Sequence, residues 1–230
     1  MATDRIHAES AGTSRNGARK SDVAYARILE ILFERRLPAG AFVSQNELVQ
    51  LTGVPLAPLR DALRVLETDG IVTIHPRAGI EFVKPGLELT CATYQFRGII
   101  ESSAVAVYAE TADEAEMLEV ERRHLRAVEA IEVEGLTLAM RTELEALEEA
   151  LHNAIIASLR NPLIETSYRR IRNYLRILRL DRKITVPLAL RSLREHLAII
   201  EACRHRNAAE AQAALQTHFA NAMQRNMGLY

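Results

Sequence analysis

With 230 residues, the chain is long enough for one large domain or two smaller ones, each with its own hydrophobic core. Hydrophobic residues make up 48% of it, yet no apolar run approaches the ~20 residues of a membrane-spanning helix. A net charge of −1 gives no electrostatic indication of nucleic-acid binding, and the abundance of Ala, Leu, Glu and Arg favours a helical fold.

The first twenty residues are polar and contain no apolar signal-peptide core. We predict that residues 1–20 form a disordered arm. A solvated tail is the simpler interpretation of this arm, although four of its basic residues could contact phosphates: Arg5, Arg15, Arg19 and Lys20. A helix is predicted from about Asp22 to Arg36, because apolar residues recur there at helical spacing and Leu37-Pro38-Ala39-Gly40 ends the pattern.

Two short helical patterns follow. Ser44 and Glu47 have the spacing of a capping box, which predicts a helix from about Gln45. After the turn at Gly53, a second helix with an apolar stripe is predicted from Leu56 to Gly70. Two helices at this spacing, followed by β-prone residues, are the order of elements in a winged helix-turn-helix.

The wing of that motif is predicted from two β-prone runs, residues 71–74 and 80–83, joined by His75-Pro76-Arg77-Ala78-Gly79 as a hairpin tip. We therefore predict a winged helix-turn-helix DNA-binding domain over residues 21–85. Residues 1–85 hold 11 Lys and Arg against 10 Asp and Glu, so the prediction depends on the arrangement of elements and not on charge.

Beyond a short linker at Lys84-Pro85-Gly86, residues 86–230 show only helical patterns. Short connections between them imply antiparallel neighbours, so the fold class is mostly α, with an antiparallel six-helix bundle after the winged helix-turn-helix. The two cysteines, Cys91 and Cys203, are predicted to be small core residues in a reducing, cytoplasmic compartment. The six helices are predicted at 87–109, 112–132, 136–159, 162–182, 187–205 and 208–226.

Four side chains of the bundle are candidates for a metal site. Glu148 and His152 are four residues apart and share one helix face. His196 and His218 each lie eleven residues from the predicted turn at Asn207, so both stand about 16 Å from it in an antiparallel hairpin. Three imidazoles and a carboxylate suit Zn²⁺, Ni²⁺ or Mn²⁺. Structural histidines and a surface Glu–His ion pair remain the alternative, and His7, His124 and His205 are predicted to be structural.

Arginines form a second candidate constellation. Arg172, Arg176 and Arg179 share one face of their helix and could bind a carboxylate ligand. The alternative is a solvated face that pairs with the Glu-rich second helix of the bundle. Arg97 lies on a largely apolar helix and therefore needs a partner, for which Glu101 at i+4 is the simplest choice.

These patterns together resemble a known family of bacterial transcription regulators, the GntR family. The segments that carry the resemblance in the first half are Leu37-Pro38-Ala39-Gly40, Gly53-Val54, Pro58-Leu59-Arg60-Asp61-Ala62-Leu63 and Asp69-Gly70-Ile71-Val72. The rest resembles the ligand-binding FCD domain of the FadR subfamily in its shorter, VanR-like form, through Arg97 with Glu101, residues 144–152, Asn161-Pro162, Glu195-His196 and Thr217-His218-Phe219.

The resemblance implies that residues 86–230 bind an effector and form a homodimer. It implies a divalent metal, Zn²⁺ first and Ni²⁺ or Mn²⁺ otherwise, held by Glu148, His152, His196 and His218 and shared with an effector carboxylate. Effector contacts are assigned to Arg97, Arg172 and Arg176. The chain departs from the family in having Glu148 where Asp is usual.

DNA contacts are implied for the first half. The recognition helix opens with Pro55-Leu56-Ala57-Pro58, where the family commonly has a cap residue and an Arg. Leu56 and Ala57 can therefore make only apolar contacts, with the methyl groups of thymine. Arg60 and Arg64 are expected at phosphate or guanine. The remaining predicted contacts are Gln45 and Asn46 with the backbone and Arg77 of the wing with the minor groove.

The resulting hypothesis is a metabolite-responsive transcription regulator and not an enzyme. It would act as a repressor that a small carboxylate releases from a pseudo-palindromic operator in double-stranded DNA, with no membrane partner. Two alternatives are a metal-dependent enzyme, since three His and one carboxylate can activate water, and a protein-interaction module whose winged helix no longer binds DNA.

Overall fold

The computed structural model describes residues 6–180 and 184–228, and it confirms a mostly helical chain with a winged helix-turn-helix ahead of a helical bundle. Two compact units are formed, Met1–Pro85 and Gly86–Tyr230, which divide within the Lys84-Pro85-Gly86 segment. Within the described ranges, no helix is both long enough and apolar enough to cross a bilayer.

Three helices form most of the N-terminal unit: α1 (Ile6–Phe33), α2 (Gln45–Thr52) and α3 (Leu56–Thr68). The predicted disordered arm is wrong from Ile6 onward, because this part of it belongs to α1. The alanines of this stretch favour a helix and no proline breaks it, although Gly12 and Gly17 lower its helix propensity. The prediction for residues 1–5 lies outside the described residues. The helix also ends at Phe33, three residues before the predicted Arg36.

Local side chains set the bounds of α2 and α3. Ser44 accepts a hydrogen bond from the backbone N–H of Glu47, whose carboxylate accepts one from the N–H of Ser44, so the predicted capping box is formed. Gly53, at φ 68°, ends α2 in the left-handed region that glycine adopts without strain. At the end of α3, Gly70 has φ 72°, and the N–H of Ile71 donates to the carbonyl of Leu66, as in a Schellman motif.

A small antiparallel sheet completes this unit, in the order β1-β3-β2. The predicted hairpin corresponds to β2 (Val72–His75) and β3 (Gly79–Phe82), and Arg77 in the turn has φ 62°. The strand β1 (Phe42–Val43) was not predicted, because two residues are too few to show an alternating pattern. The helices α1, α2 and α3 pack against one another, and α3 also packs against β2. The unit buries aliphatic side chains that include Ile28, Leu32, Leu48, Leu59, Leu63, Leu66, Ile71 and Ile80.

The C-terminal unit consists of six helices in its described part, each within a few residues of its predicted position. Side-chain caps fix several of the starts: Asp113 caps α5, Thr137 caps α6, and Asn161 caps α7 ahead of Pro162. Cys203 is buried as predicted, whereas Cys91 is exposed on α4 and that prediction is wrong. The helices are α4 (Leu87–Thr111), α5 (Glu114–Glu134), α6 (Leu138–Ala157), α7 (Pro162–Arg179), α8 (Val186–Arg204) and α9 (Ala208–Asn226).

Candidate metal centre and DNA-contacting surface

The structure brings together the four side chains that the sequence suggested as metal ligands. One ligand atom from each of Glu148, His152, His196 and His218 lies within 4.8 Å of the others. Helix α6 supplies the first two, and α8 and α9 supply one histidine each. Because α8 and α9 pack along each other, the rings of His196 and His218 lie with their centroids only 4.7 Å apart.

Three nitrogen atoms of this cluster have no hydrogen-bond partner. They are the Nε2 atoms of His152, His196 and His218, all of them buried. The Glu148 carboxylate faces two of them, with Oε1 3.5 Å from Nε2 of His152 and Oε2 3.2 Å from Nε2 of His196. A buried polar atom without a partner costs free energy, and converging lone pairs next to a carboxylate are what a metal ion requires.

The opposite nitrogen of each of these histidines has a partner. Nδ1 of His152 lies 2.5 Å from Glu101 and Nδ1 of His218 lies 2.9 Å from Glu195. A carboxylate only accepts hydrogen bonds, so each Nδ1 carries the proton and each Nε2 keeps its lone pair. This is the arrangement in which outer partners orient metal-binding imidazoles.

His196 has a different outer partner, which the sequence analysis missed. Its Nδ1 lies 3.2 Å from Nε2 of His124, whose own Nδ1 lies 2.8 Å from the carbonyl oxygen of Val120. His124 was predicted to be structural, and it does lie outside the four candidate ligands, but its contact with His196 was not foreseen. Its position on α5 could have revealed this, because it falls on the buried stripe of that helix with Met117 and Ile131.

A buried ion-pair network supports the His152 side of the cluster. Arg97 donates through Nε to Oε1 of Glu101 at 2.5 Å, the i+4 partner that the sequence suggested. Tyr168 donates its hydroxyl to the same oxygen at 3.1 Å, and the guanidinium of Arg97 stacks 4.4 Å from the ring of Phe219. The Arg97 Nη1 has no hydrogen-bond partner and lies 3.6 Å from Oε1 of Glu148, so it faces the cluster.

Burial controls the protonation of the cluster. Desolvation lowers the pKa of His152, His196 and His218, and desolvation with the neighbouring His196 lowers the pKa of His124 to about 4. Burial by itself would raise the pKa of Glu148, but the charge of Arg179 holds it well below its usual range. Neutral imidazoles at the three candidate histidines and an ionised carboxylate at Glu148 are the forms in which these groups bind metals.

A small cavity of about 20 Å³ opens beside the cluster. All three predicted effector-binding residues, Arg97, Arg172 and Arg176, line it. Arg179 lines it as well and donates to Oε1 of Glu148 at 2.5 Å, so this arginine pairs with α6 and not with the Glu-rich α5. Sequence spacing placed Arg179 on this helix face, but only the structure pairs it with a candidate metal ligand.

The predicted DNA-contacting residues lie at the start of α2, along α3 and at the wing tip. Ala57, Arg60 and Arg64 are exposed on one face of α3, Leu56 is half-buried, and Arg77 is exposed in the hairpin turn. Asn46 is exposed and Gln45 is half-buried at the start of α2. Arg60 donates through Nε to the side-chain oxygen of Gln45 at 2.8 Å, which joins the two helices at this surface.

Helix α3 starts without a side-chain cap. Pro55 is its first flanking residue and offers no hydroxyl or carboxylate oxygen for the free N–H groups. The surface nevertheless retains the positive charges of Arg60, Arg64 and Arg77, of which Arg64 forms a loose 3.7 Å ion pair with Asp61.

Comparison with known proteins gives both units the same assignment. The family model described as "Bacterial regulatory proteins, gntR family" matches residues 20–82, and the model of the FCD domain matches residues 92–221. The chain belongs to the GntR family of regulators that carry an FCD domain. It is therefore a transcription regulator, and the FCD match covers the helices that form the His and Glu cluster.

Relatives and solved structures agree with this assignment. The chain is 23% identical to the HTH-type transcriptional regulator YdhC of Bacillus subtilis, itself uncharacterized, over 85% of each protein. Its fold is similar to that of E. coli McbR/YncC, with TM-score 0.72, 14% identity and coverage of 92% of this chain and 98% of the other. A GntR protein from Rhodococcus sp. RHA1 gives TM-score 0.73, 20% identity and coverage of 93% and 99%.

Proposed function

We propose that this regulator is a homodimeric repressor, which a small carboxylate bound at a divalent metal centre releases from a pseudo-palindromic operator. The observation that carries the proposal is the convergence of three unpartnered Nε2 atoms and a carboxylate beside a cavity lined by arginines. In a purely structural core, buried lone pairs such as these nearly always have a hydrogen-bond partner.

Glu148, His152, His196 and His218 would hold the metal. Their three nitrogen atoms and one oxygen are ligands that Zn²⁺ binds readily and that Ni²⁺ and Mn²⁺ also accept, and an effector carboxylate would add a further ligand to the ion. When bound, the ion supplies a Lewis acid that attracts an effector carboxylate. Glu148 is one methylene longer than Asp and reaches the centre while it also pairs with Arg179.

Arg97, Arg172 and Arg176 would bind the effector carboxylate from the cavity side, with Arg179 as a fourth cation. Ligand sites usually have volumes of about 300–1,000 Å³. The cavity has about 20 Å³, so a sugar acid, dicarboxylate or aromatic acid needs side chains to move. Separation of Arg179 from Glu148 is the simplest such movement. An effector that binds the opened state better shifts the protein toward it.

The DNA contacts would come from two copies of the winged helix-turn-helix, with the α3 helices about 34 Å apart in successive major grooves. Arg60 and Arg64 would contact guanine or phosphate, and Leu56 and Ala57 the methyl groups of thymine. The free N–H groups at the start of α2, with the side chains of Gln45 and Asn46, would bind phosphate, and Arg77 the minor groove. What supports this assignment is the exposure of these arginines and the match to the gntR family.

Selection of genomic DNA fragments by the full-length protein tests DNA binding. We expect an enriched, pseudo-palindromic sequence. Arg60→Ala should weaken binding to it at least tenfold, the effect of losing ~1–3 kcal/mol of base recognition. Arg27→Ala is the matched control, because it removes the same charge from an exposed ion pair on α1. Unchanged binding by Arg60→Ala would favour a protein-interaction module.

Release by effector is tested on that fragment with Zn²⁺ and a panel of sugar acids, dicarboxylates and aromatic acids. His196→Ala should bind DNA normally but should not respond to the carboxylate that releases the wild type. A metal-dependent enzyme would instead consume one of these compounds and lose turnover in His196→Ala. Native mass spectrometry and elemental analysis of the purified protein identify the metal and any ligand that it retains.

A further inference from the structure

His124 lies on α5, outside the four candidate metal ligands, and is wholly buried. Its ring stands with its centroid 5.3 Å from that of His196, in a T-shaped arrangement. The two rings meet through Nε2 of His124 and Nδ1 of His196 at 3.2 Å. The other nitrogen of His124, Nδ1, lies 2.8 Å from the carbonyl oxygen of Val120 on the preceding turn of α5.

In these two contacts, the donor and the acceptor of each hydrogen bond can be assigned. A backbone carbonyl only accepts, so Nδ1 of His124 carries a proton and donates it to Val120. A neutral imidazole with its proton on Nδ1 has a lone pair on Nε2. That lone pair accepts a hydrogen bond from Nδ1 of His196. The proton of His196 is thereby held on Nδ1, and its Nε2, which faces Glu148, keeps the lone pair that a metal needs.

We propose that His124 is a positioning residue of the metal centre, which fixes His196 in the tautomer that presents Nε2 to the ion. Without this partner, the proton of His196 can move to Nε2, where the carboxylate of Glu148 lies 3.2 Å away and accepts it. In that tautomer an N–H bond points into the centre. Metal binding must then first reverse the tautomer and break the contact with Glu148.

The other two histidines do not depend on such a chain. Glu101 and Glu195 can only accept, and each is itself held by an arginine, Arg97 or Arg225. They therefore fix the protons of His152 and His218 directly. An imidazole is the one outer partner of the three that can either donate or accept, which makes the tautomer of His196 conditional on the contact of His124 with Val120.

The inference depends on the metal binding proposed above, and its test starts from the affinity of full-length protein for Zn²⁺, measured by competition with a chromogenic chelator. His124→Leu removes the acceptor and should weaken binding 10- to 100-fold, as for other outer partners of metal ligands. His124→Gln restores a carbonyl acceptor and should bind within a few-fold of the wild type. His205→Gln, a change at an exposed histidine after α8, controls for the loss of an imidazole.

The second measurement is the tautomer of His196 in metal-free protein, from the ¹⁵N shifts of its ring. We expect a proton on Nδ1 in the wild type and in His124→Gln, and a shift toward Nε2 in His124→Leu. This measurement is made without the metal. For the wild-type protein it is also independent of whether any variant folds. A proton on Nε2 of His196 in the wild type overturns the proposal.

The remaining outcomes separate the two proposals. Wild-type protein that binds no Zn²⁺ contradicts the metal centre itself. If the wild-type protein binds Zn²⁺ and a folded His124→Leu variant binds it with equal affinity, only the proposed role of His124 is contradicted. If His124→Leu does not fold, the affinity of His124→Gln and the wild-type tautomer decide.

Discussion

The N-terminal unit has an interior of aliphatic side chains, whereas the C-terminal unit has polar and charged groups at its centre. Among the described residues, every buried side chain of Met1–Pro85 is hydrophobic. The C-terminal unit buries Arg97, Glu101, His124, His152, His196, His218 and Arg225, among others.

This difference shows where each unit carries its chemistry. In the first unit, the described core is apolar and the arginines from Arg27 onward are exposed. The second unit builds its site into its core, where desolvation makes each charge costly unless it is paired. On the proposed function, ligand binding involves the buried interior of the bundle, whereas the proposed DNA contacts of the winged helix-turn-helix lie outside its core.

Acidification should produce the largest contrast between the units in metal-free protein. An imidazole whose pKa is lowered by folding binds its proton more readily in the unfolded state, so stability is complete above pH 6.5 and is lost as the pH falls below it. His124, with its pKa lowered from 6.5 to about 4, should cost the folded state roughly 2 kcal/mol by pH 5, and the three other buried histidines act in the same direction.

Native-state hydrogen exchange with chelator present, followed segment by segment from pH 7 to pH 5, measures this loss. Folding lowers the pKa values of Glu101 and Glu195 from 4.5 to about 2, so their contribution to stability is lost only below pH 4.5. The loss between pH 7 and pH 5 is therefore assigned to the buried histidines. Protection should fall in α4–α9 and persist in α2 and α3. An equal loss in both units would contradict the assignment to buried histidines.

Removal of one charge from the buried network should have the next largest effect. Glu101→Gln keeps the shape of the side chain but removes the charge that pairs with Arg97, and it leaves one accepting oxygen where two now accept from Arg97 and His152. The expected cost is about 3–5 kcal/mol of unfolding free energy, measured by denaturant titration. Glu30→Gln breaks the exposed pair with Arg27 and should cost below about 1 kcal/mol.

A double replacement sharpens this test. Arg97→Met with Glu101→Leu removes both charges and should recover much of the stability that Glu101→Gln loses, because apolar side chains need no partner. It should still impair the metal centre, since His152 keeps no acceptor for Nδ1. If Glu101→Gln and Glu30→Gln cost the same, the network contributes nothing beyond a surface pair.

The two units also differ in how far their sequence predicted them. Hydrophobic periodicity and capping residues predicted most helices of both units. The equal spacing of His196 and His218 from Asn207 correctly predicted that the two rings lie opposite each other. Local patterns could not reveal that His124 contacts His196, because 72 residues separate them and only the packing of α5 on α8 joins them. The pairing of Arg179 with Glu148 was missed for the same reason.

Zinc should stabilise only the C-terminal unit directly. At a free concentration about one hundred times the dissociation constant, Zn²⁺ should add about 2.7 kcal/mol to its stability, because the ion binds the folded cluster and not the unfolded chain. Calorimetry and segment-resolved hydrogen exchange measure the gain. His218→Ala should abolish it. A gain that persists in this variant would place the stabilising metal elsewhere.

The smallest expected effect tests the N-terminal unit. Ser44→Ala removes the hydroxyl that accepts from the N–H of Glu47 and should cost about 1 kcal/mol, with faster exchange confined to α2 and its neighbours. Ser103→Ala, an exposed change on α4, is the matched control and should leave α2 unchanged. Because the start of α2 also carries Gln45 and Asn46, fraying there should weaken operator binding several-fold while the response to metal stays normal. Loss of the metal response in Ser44→Ala would instead show that the effect of the cap is not confined to α2 and its neighbours.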